Sequence, residues 1–467
     1  LRQTNAVSDP VVTADLLGRL DRLPMTRTAR LTTVLLIVVW VAEGFEAGII
    51  GPILLIVKAP WHLTSQSTAQ LGVASTLGIL VGAALAGRLA DRYGRKVVLL
   101  CGITLFSVFA AACAVSSDIG WIMAMRALGG LALGAVFPIP YLLLSELLGK
   151  RSRASVIATA SAMLALSYII PQLAALAVIG NTPFAWSWRI LFLIGGLPVL
   201  AIPFVHRYLP ESPRWLLLNG RASQAQALVE RMEREAGYED GDGVVHSGTA
   251  GVVQAEYAAY SEPGHQATAL LRQPLLGRFA LSLLICAGAT ASGYVVVVYA
   301  PTLYAGMGLS NHEALLATAA LIAGGVVGAM LVGSLADRLG RKKTFLIYSL
   351  GAVAGYSLLA ISPNASLSVC FGILSAFFST GMVPFSRLFT AEQFPTRTRG
   401  TAAGWVESIG RFIGGVLIAG SIPYVQTTWG TGAPFWIISA IFLVCLGPVM
   451  FRARETKGMS IDQAGAV

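Results

Sequence analysis

Charge is what this chain has least of. Asp, Glu, Lys and Arg make up only 12% of its 467 residues, about half of the roughly 25% usual in a soluble domain. Together with apolar runs of membrane-spanning length, that scarcity excludes a large soluble enzyme with an apolar core. Cysteine is scarce too. Cys101, Cys113, Cys286, Cys370 and Cys445 are scattered without ligand spacing, each in an apolar stretch. They exclude a disulfide framework or a zinc site and read as reduced core residues. His62, His206, His246, His265 and His312 fall in loops or near helix ends. They form no metal-ligand set and no nucleophile–base pair, so no enzyme, metal or cofactor is expected. The net charge of +10 would suit nucleic acid if it lay along one surface. The basic residues instead form short clusters between apolar runs, and no nucleic acid partner is expected. No cleavable signal peptide is evident.

Hydrophobic residues make up 55% of the chain and glycines number 50, as in apolar helices that approach one another closely in lipid. The pattern predicts an all-α membrane protein with twelve transmembrane helices at 31–57, 67–89, 96–116, 120–145, 154–179, 187–208, 278–304, 313–335, 343–361, 367–390, 400–422 and 433–451. Helices near 20 residues cross the hydrocarbon layer, and longer ones tilt. The domains are then an N-terminal segment at 1–30, a six-helix bundle at 31–208, a linker at 209–277, a second six-helix bundle at 278–451 and a tail at 452–467. Val11 to Leu23 reads as an amphipathic helix expected to lie along the inner membrane surface. The linker carries Gly237, Gly241, Gly243, Gly248 and Gly251, with one helical stretch over Ala222–Ala236. If both termini are cytoplasmic, only Lys58 and Arg189 of the 33 basic residues face outward, and Arg126, Arg387 and Arg411 lie within helices. That bias is the expected sign of cytoplasmic termini and an even number of spans.

The two halves repeat each other. Gly87-Arg88-Leu89-Ala90-Asp91-Arg92-Tyr93-Gly94-Arg95-Lys96 returns 246 residues on as Gly333-Ser334-Leu335-Ala336-Asp337-Arg338-Leu339-Gly340-Arg341-Lys342, and Glu146 and Arg153 return at the same offset as Glu392 and Arg399. Two motifs sharing one offset point to duplication. An even number of helices per repeat makes the halves parallel about an axis along the membrane normal. Charges of both signs recur at matched helix ends, whereas topology alone asks mainly for Lys and Arg. Asp91, Arg95, Glu146, Arg153, Asp337, Arg341, Glu392 and Arg399 are therefore expected to form gating latches that must partly break when the protein opens to the cytoplasm.

These features resemble the major facilitator superfamily, whose signature loop after the second helix is similar to residues 87–96 and 333–342. Pro210-Glu211-Ser212-Pro213-Arg214 and Glu392-Gln393-Phe394-Pro395-Thr396 through Arg399-Gly400 resemble the sugar-porter and metabolite-transporter branch, as does Glu455-Thr456-Lys457-Gly458, with Arg454 where sugar porters usually have proline. Glu43-Gly44-Phe45-Glu46 resembles the acidic motif of aromatic acid–proton symporters, with Glu in place of the usual Asp. Leu20-Asp21-Arg22-Leu23-Pro24 resembles bacterial metabolite–proton symporters. The resemblance implies a monomeric transporter of the bacterial inner membrane, surrounded by lipid, in which two bundles rock around a central site.

Charged groups inside a span are expensive and mark a polar path or an interior pair. Glu43 lies roughly 18 Å into the first helix, with Glu46 one turn on and on the same face. Ionised carboxylates are costly to desolvate and repel one another, so one of the two is expected to be the proton-coupling acid. The resembling motif favours Glu46 and implies a coupling role for Arg126, which sits near the start of the fourth helix. Arg126 can pair with an acid of the first helix or bind an anion through its rigid fork. Arg411 lies near mid-membrane in the eleventh helix, one turn from Glu407. It is either a local pair or an anion clamp working with Arg126, since a buried substrate carboxylate needs a cationic partner. Arg387, near the end of the tenth helix, is cast as a gate residue. Tyr294, Tyr299, Phe45, Tyr141, Trp405 and Gln172 complete the candidate substrate ligands, with Trp40, Phe137 and Phe385 as further aromatics. The reading is a proton-coupled symporter for a small organic anion, an aromatic or related carboxylate. A sugar or polyol symporter would need many amides and hydroxyls, yet Asn and Gln are nearly absent from the spans. An organic-cation exporter would meet repulsion from Arg411 and Arg126. A receptor that has lost transport is disfavoured by the retained acids and duplicated loops.

Overall fold

A chain in lipid can satisfy its backbone N–H and C=O groups only within helices or a closed barrel. The computed structural model takes the helical route and describes residues 10–115, 118–238, 270, 272–273 and 275–457. Twelve helices are long and apolar enough to cross a membrane. The first half holds α1 (Arg27–Val57), α2 (Ser65–Tyr93), α3 (Arg95–Cys113), α4 (Ile119–Leu147), α5 (Lys150–Val178) and α6 (Phe184–Tyr208). The second holds α7 (Leu275–Gly306), α8 (Asn311–Leu339), α9 (Arg341–Ala360), α10 (Ala365–Gln393), α11 (Thr398–Trp429) and α12 (Ala433–Arg452). The repeat shows in the packing: α2 packs on α4 as α8 packs on α10.

Several spans are interrupted where proline removes a backbone donor. α5 loosens at Tyr168 and Ile169 before Pro171. α7 widens into a π-helical turn at Val295–Tyr299, and α11 into another at Phe412–Ile418. Pro301 does not end the seventh span, because the widened turn precedes it and the helix continues to Gly306. Cys101 and Cys370 are exposed rather than core residues; Cys113, Cys286 and Cys445 are buried.

The N-terminal helix is found at Pro10–Arg22 and the linker helix at Ala222–Ala236. The first does not lie along a membrane surface. Leu16, Leu17, Leu20 and Leu23 are buried in the core of the first half. Arg19 makes a forked pair with Glu233 of the linker helix, at 2.8 and 2.5 Å. Glu235 of the same helix accepts from the Thr28 backbone N–H at 2.6 Å and from its hydroxyl at 2.7 Å, holding the start of α1. Gly241, Gly243, Gly248, Gly251, His246 and His265 lie outside the described residues.

Each signature loop is a sharp turn between two spans. Gly94 and Gly340 sit at φ +102° and +92°, where a side chain would be strained. Beyond the turn, orphan N–H groups open α3 and α9, and a carboxylate caps each set. Glu211 accepts from the N–H groups of Arg95 and Lys96 at 3.0 and 3.2 Å. Glu455 accepts from those of Arg341 and Lys342 at 2.8 and 3.0 Å. The segments after α6 and after α12 are thus a third repeated pair. Burial pushes the Glu211 carboxyl above its ordinary range against these donors. Burial works the same way on Glu455, but its backbone donors outweigh it and hold the carboxyl below that range.

The paired charges of the loops differ in strength. Arg341 grips Glu392 with two hydrogen bonds, at 2.8 and 2.6 Å, and Asp337 lies 3.2 Å away. Thr456 donates a further bond to Glu392 at 2.5 Å. In the first half Arg95 reaches Asp91 at 3.3 Å and Glu146 only at 3.6 Å. Arg153 turns instead to Asp21 of the N-terminal helix at 2.6 Å, and Arg399 lies in the first turn of α11. The expected latches are found within halves: both partners of the Arg95 and Arg341 clusters belong to one bundle, and none of these contacts runs between bundles.

Two outcomes follow. Arg341→Ala strands Glu392 and is expected to cost about 3 kcal/mol, as for a broken buried pair, against about 1 kcal/mol for Arg95→Ala. Thermal unfolding in detergent should therefore show a clearly larger drop in Tm for Arg341→Ala; equal drops would contradict the asymmetry. Because Glu455 is depressed in the folded state, its contribution is fully present above the unfolded carboxylate value of about 4.3 and lost as pH falls through the folded value. The Tm gap between wild type and Glu455→Gln should be widest at neutral pH and close in acid.

Candidate functional site

Where the two halves face each other, α1, α2, α4 and α5 meet α7, α8, α10 and α11 around a cavity of about 820 Å³, large enough for a drug-sized solute. Its wall is mostly apolar, with hydroxyls from Ser75, Thr76, Thr159, Ser161, Thr290 and Thr380. No Asn or Gln is among its described lining residues. Towards the face that carries the termini, the wall is solvent-exposed at Ala158, Thr159 and Arg387. At the opposite face it is sealed. Ile50, Val296 and Val298 are buried there, and Ser65 of α2 bonds Thr427 of α11 at 3.0 Å. Gly72 lets α2 approach the Tyr299 hydroxyl so closely that a Cβ at this position would collide with it. The protein is therefore open on its terminal face and closed on the other.

Three carboxylates and three guanidiniums occupy the cavity and its wall. Arg126 pairs with Glu46 through Nη1, and its Nη2 donates to the Glu46 backbone carbonyl at 3.1 Å. Arg126 is 2% exposed and Glu46 also 2%, so this pair is sealed in protein. Arg126 thus takes the first of its two expected roles, pairing with an acid of α1. Glu407 is shared: Arg411 donates to Oε1 at 2.7 Å and Arg387 to the same oxygen at 2.9 Å. The Arg411 guanidinium also lies over the Phe137 ring, 5.2 Å from its centroid, across the interface between halves. Glu43 faces the cavity and has a buried Oε2 without a hydrogen-bond partner. Although only three residues apart, the two acids of α1 diverge. Glu46 turns to α4 and to Gly195 of α6, and Glu43 to the cavity.

The expected ligands divide in the same way. Glu43, Arg126, Arg411, Tyr141 and Tyr294 line the cavity. Tyr141 packs at a tilt against buried Trp40, with ring centroids 4.3 Å apart, and accepts a hydrogen bond from Ser161. Tyr299 is buried in the sealed gate with its hydroxyl unpartnered. Gln172 is fully buried off the cavity, with neither amide atom hydrogen-bonded. Phe45 lies in the apolar core and Phe385 stacks on Phe389. Trp405 faces outward against Phe279 at 6.5 Å. Arg387, cast as a gate residue, lines the cavity beside Arg411 and holds the other side of Glu407. Tyr168 is a lining residue that sequence reasoning missed; its one signal is the helix break announced by Pro171.

Known proteins are similar to this chain over most of its length. A family model described as "Sugar (and other) transporter" matches residues 32–467. The niacin transporter NiaP of Acinetobacter baylyi is 27% identical over 97% of this chain and 100% of its own length. The gallate transporter of Pseudomonas putida is 30% identical over 86% of this chain and 87% of its own. Among solved structures, a partially occluded inward-open form of the xylose transporter XylE from E. coli aligns with a TM-score of 0.74, 18% identity, and 92% and 99% of the two chains. On its motifs, its twelve spans and this nearly full-length match, the chain belongs to the sugar (and other) transporter family.

Proposed function

We propose that the chain is a proton-coupled symporter for a small organic anion, an aromatic or related carboxylate, working by alternating access. It would lie in a bacterial inner membrane with both termini cytoplasmic, so that the open face described above is the inward one. The observation that carries the substrate class is the pair of guanidiniums sharing one carboxylate. Arg387 and Arg411 together hold only Glu407, which leaves cationic capacity facing the cavity for an anion. A bidentate guanidinium contact is strong and directional. Phe137, Tyr141, Tyr168 and Tyr294 offer ring faces around it, which suits an aromatic acid. The two relatives named above carry niacin and gallate, both aromatic carboxylic acids. The acids of α1 supply the means of proton coupling. The hydroxyls of the wall would serve a sugar or polyol, which makes that class the second reading.

A thermal-shift and uptake screen with nicotinate, gallate, xylose and tetraethylammonium, each at pH 6 and pH 8, separates the classes. The carboxylates should stabilise the protein more at pH 6. Arg411→Ala should weaken their binding by about tenfold to a hundredfold, as expected for loss of charge-assisted hydrogen bonds. Selective stabilisation by xylose, unchanged in Arg411→Ala, would install the sugar reading in its place.

A further inference from the structure

The charges in the membrane core balance as a set. Glu46 is matched by Arg126, and Glu407 is matched once over by either Arg387 or Arg411. Both guanidiniums contact that one carboxylate, which leaves one positive charge in excess, and the carboxylate of Glu43 has an Oε2 without a hydrogen-bond partner. The two face the same cavity, with Arg411 within electrostatic reach of Glu43. Charges that share one poorly solvated cavity interact beyond hydrogen-bond distance, so the site resists any change in its total charge.

We infer that Glu43 is the counter-ion of the empty carrier, and that it gives up this role by taking a proton when a substrate carboxylate docks on Arg387 and Arg411. The inference rests on the organic-anion reading. A docked monoanion would leave the set one charge negative. A proton added to a carboxylate oxygen of Glu43 restores neutrality, and no other group is as free to take it. On α1 itself, Glu46 also has an unpartnered Oε2, but its Oε1 is held by Arg126 of α4 and it does not line the cavity. From α11, Glu407 is held between two guanidiniums, one of them from α10. Tyr141 of α4, Tyr168 of α5, and Cys286 and Tyr294 of α7 also face this space, but a phenol or thiol is a neutral group with no negative charge for a proton to discharge. Substrate and proton therefore each favour the binding of the other, as linkage requires. Each cycle carries one monoanion and one proton, and the transported charge is zero.

The test uses the full chain in proteoliposomes with nicotinate as probe. For wild type, nicotinate affinity should fall about tenfold for each pH unit above the coupled titration, the slope of one linked proton. Accumulation should follow an imposed pH gradient and ignore a potassium–valinomycin potential. Glu43→Gln should bind nicotinate equally at pH 6 and pH 8 and lose gradient-driven accumulation, whereas Glu43→Asp should keep the slope. A wild-type elution volume and Tm in detergent report that Glu43→Gln has folded. Four results would overturn the assignment: accumulation driven by potential alone, an unaltered slope in Glu43→Gln, a folded Glu43→Gln that binds no nicotinate at either pH, or a slope abolished by Glu46→Gln alone. If no monocarboxylate binds wild type while xylose does, the organic-anion reading itself has failed. If nicotinate binds through Arg411 without a pH slope, only the role of Glu43 has failed.

Discussion

Hydrocarbon does not solvate charge, and the arrangement of this molecule's centre follows from that. Six ionisable side chains lie at membrane depth, three of each sign, on α1, α4, α10 and α11. Sealed pairs such as Arg126–Glu46 are tolerated because each ion supplies what water would have supplied. The shared Glu407 and the unpaired Glu43 are tolerated for a different reason: they border a cavity that water enters from one face. The interface between the halves is therefore kept from collapsing into an apolar core. What a soluble protein would avoid as a packing fault becomes here the reason for a path.

The terminal face carries the complementary task of keeping each bundle rigid. Glu211 and Glu455 cap α3 and α9, and the arginines that follow the turn reach across to the ends of α4 and α10. Lys96 and Lys342 add a tie of the same kind, donating to the carbonyls of His206 and Met450. All these contacts run within a half. In the first half, where the Arg95–Glu146 contact is long, the N-terminal and linker helices add the Arg19–Glu233, Glu235–Thr28 and Arg153–Asp21 ties. The charges expected to gate therefore fasten helices of the same half to one another.

The spans were legible because length and apolarity in lipid leave little choice, and the duplication because two motifs shared one offset. The third repeated pair escaped notice since Glu211 and Glu455 lie 244 residues apart, not 246. In the site, residue type was legible and direction was not. Three residues along a helix are about 60° apart around its axis. That is close enough to call one face, yet far enough for Glu46 to meet Arg126 while Glu43 meets the cavity. Arg387 looked peripheral from its place near a helix end. Its long side chain, however, reaches the same carboxylate as Arg411, a contact that depends on how α10 and α11 cross. Tyr299 sits five residues beyond Tyr294, across a π-helical turn that changes the facing of everything after it.

The sealed face shows how little holds it. Its closure relies on close approach at Gly72, apolar packing around Val298, and a hydroxyl pair between Ser65 and Thr427, without an ion pair between halves among the contacts described there. It also confines an unpartnered Tyr299 hydroxyl and an unpartnered Gln172 amide, and buried polar groups left unpaired cost about 1–3 kcal/mol each. Closure at this face gains from apolar contact and loses by stranding polar atoms, so the two effects oppose each other. The widened turns in α7 and α11 lie beside the same region, at Val295–Tyr299 and Phe412–Ile418, where the helical hydrogen-bond register is already loosened. A carrier that must visit both states needs neither to be deep. Here that opposition arises from a gate built of small residues and poorly satisfied polar groups, placed against two bundles that are themselves firmly tied.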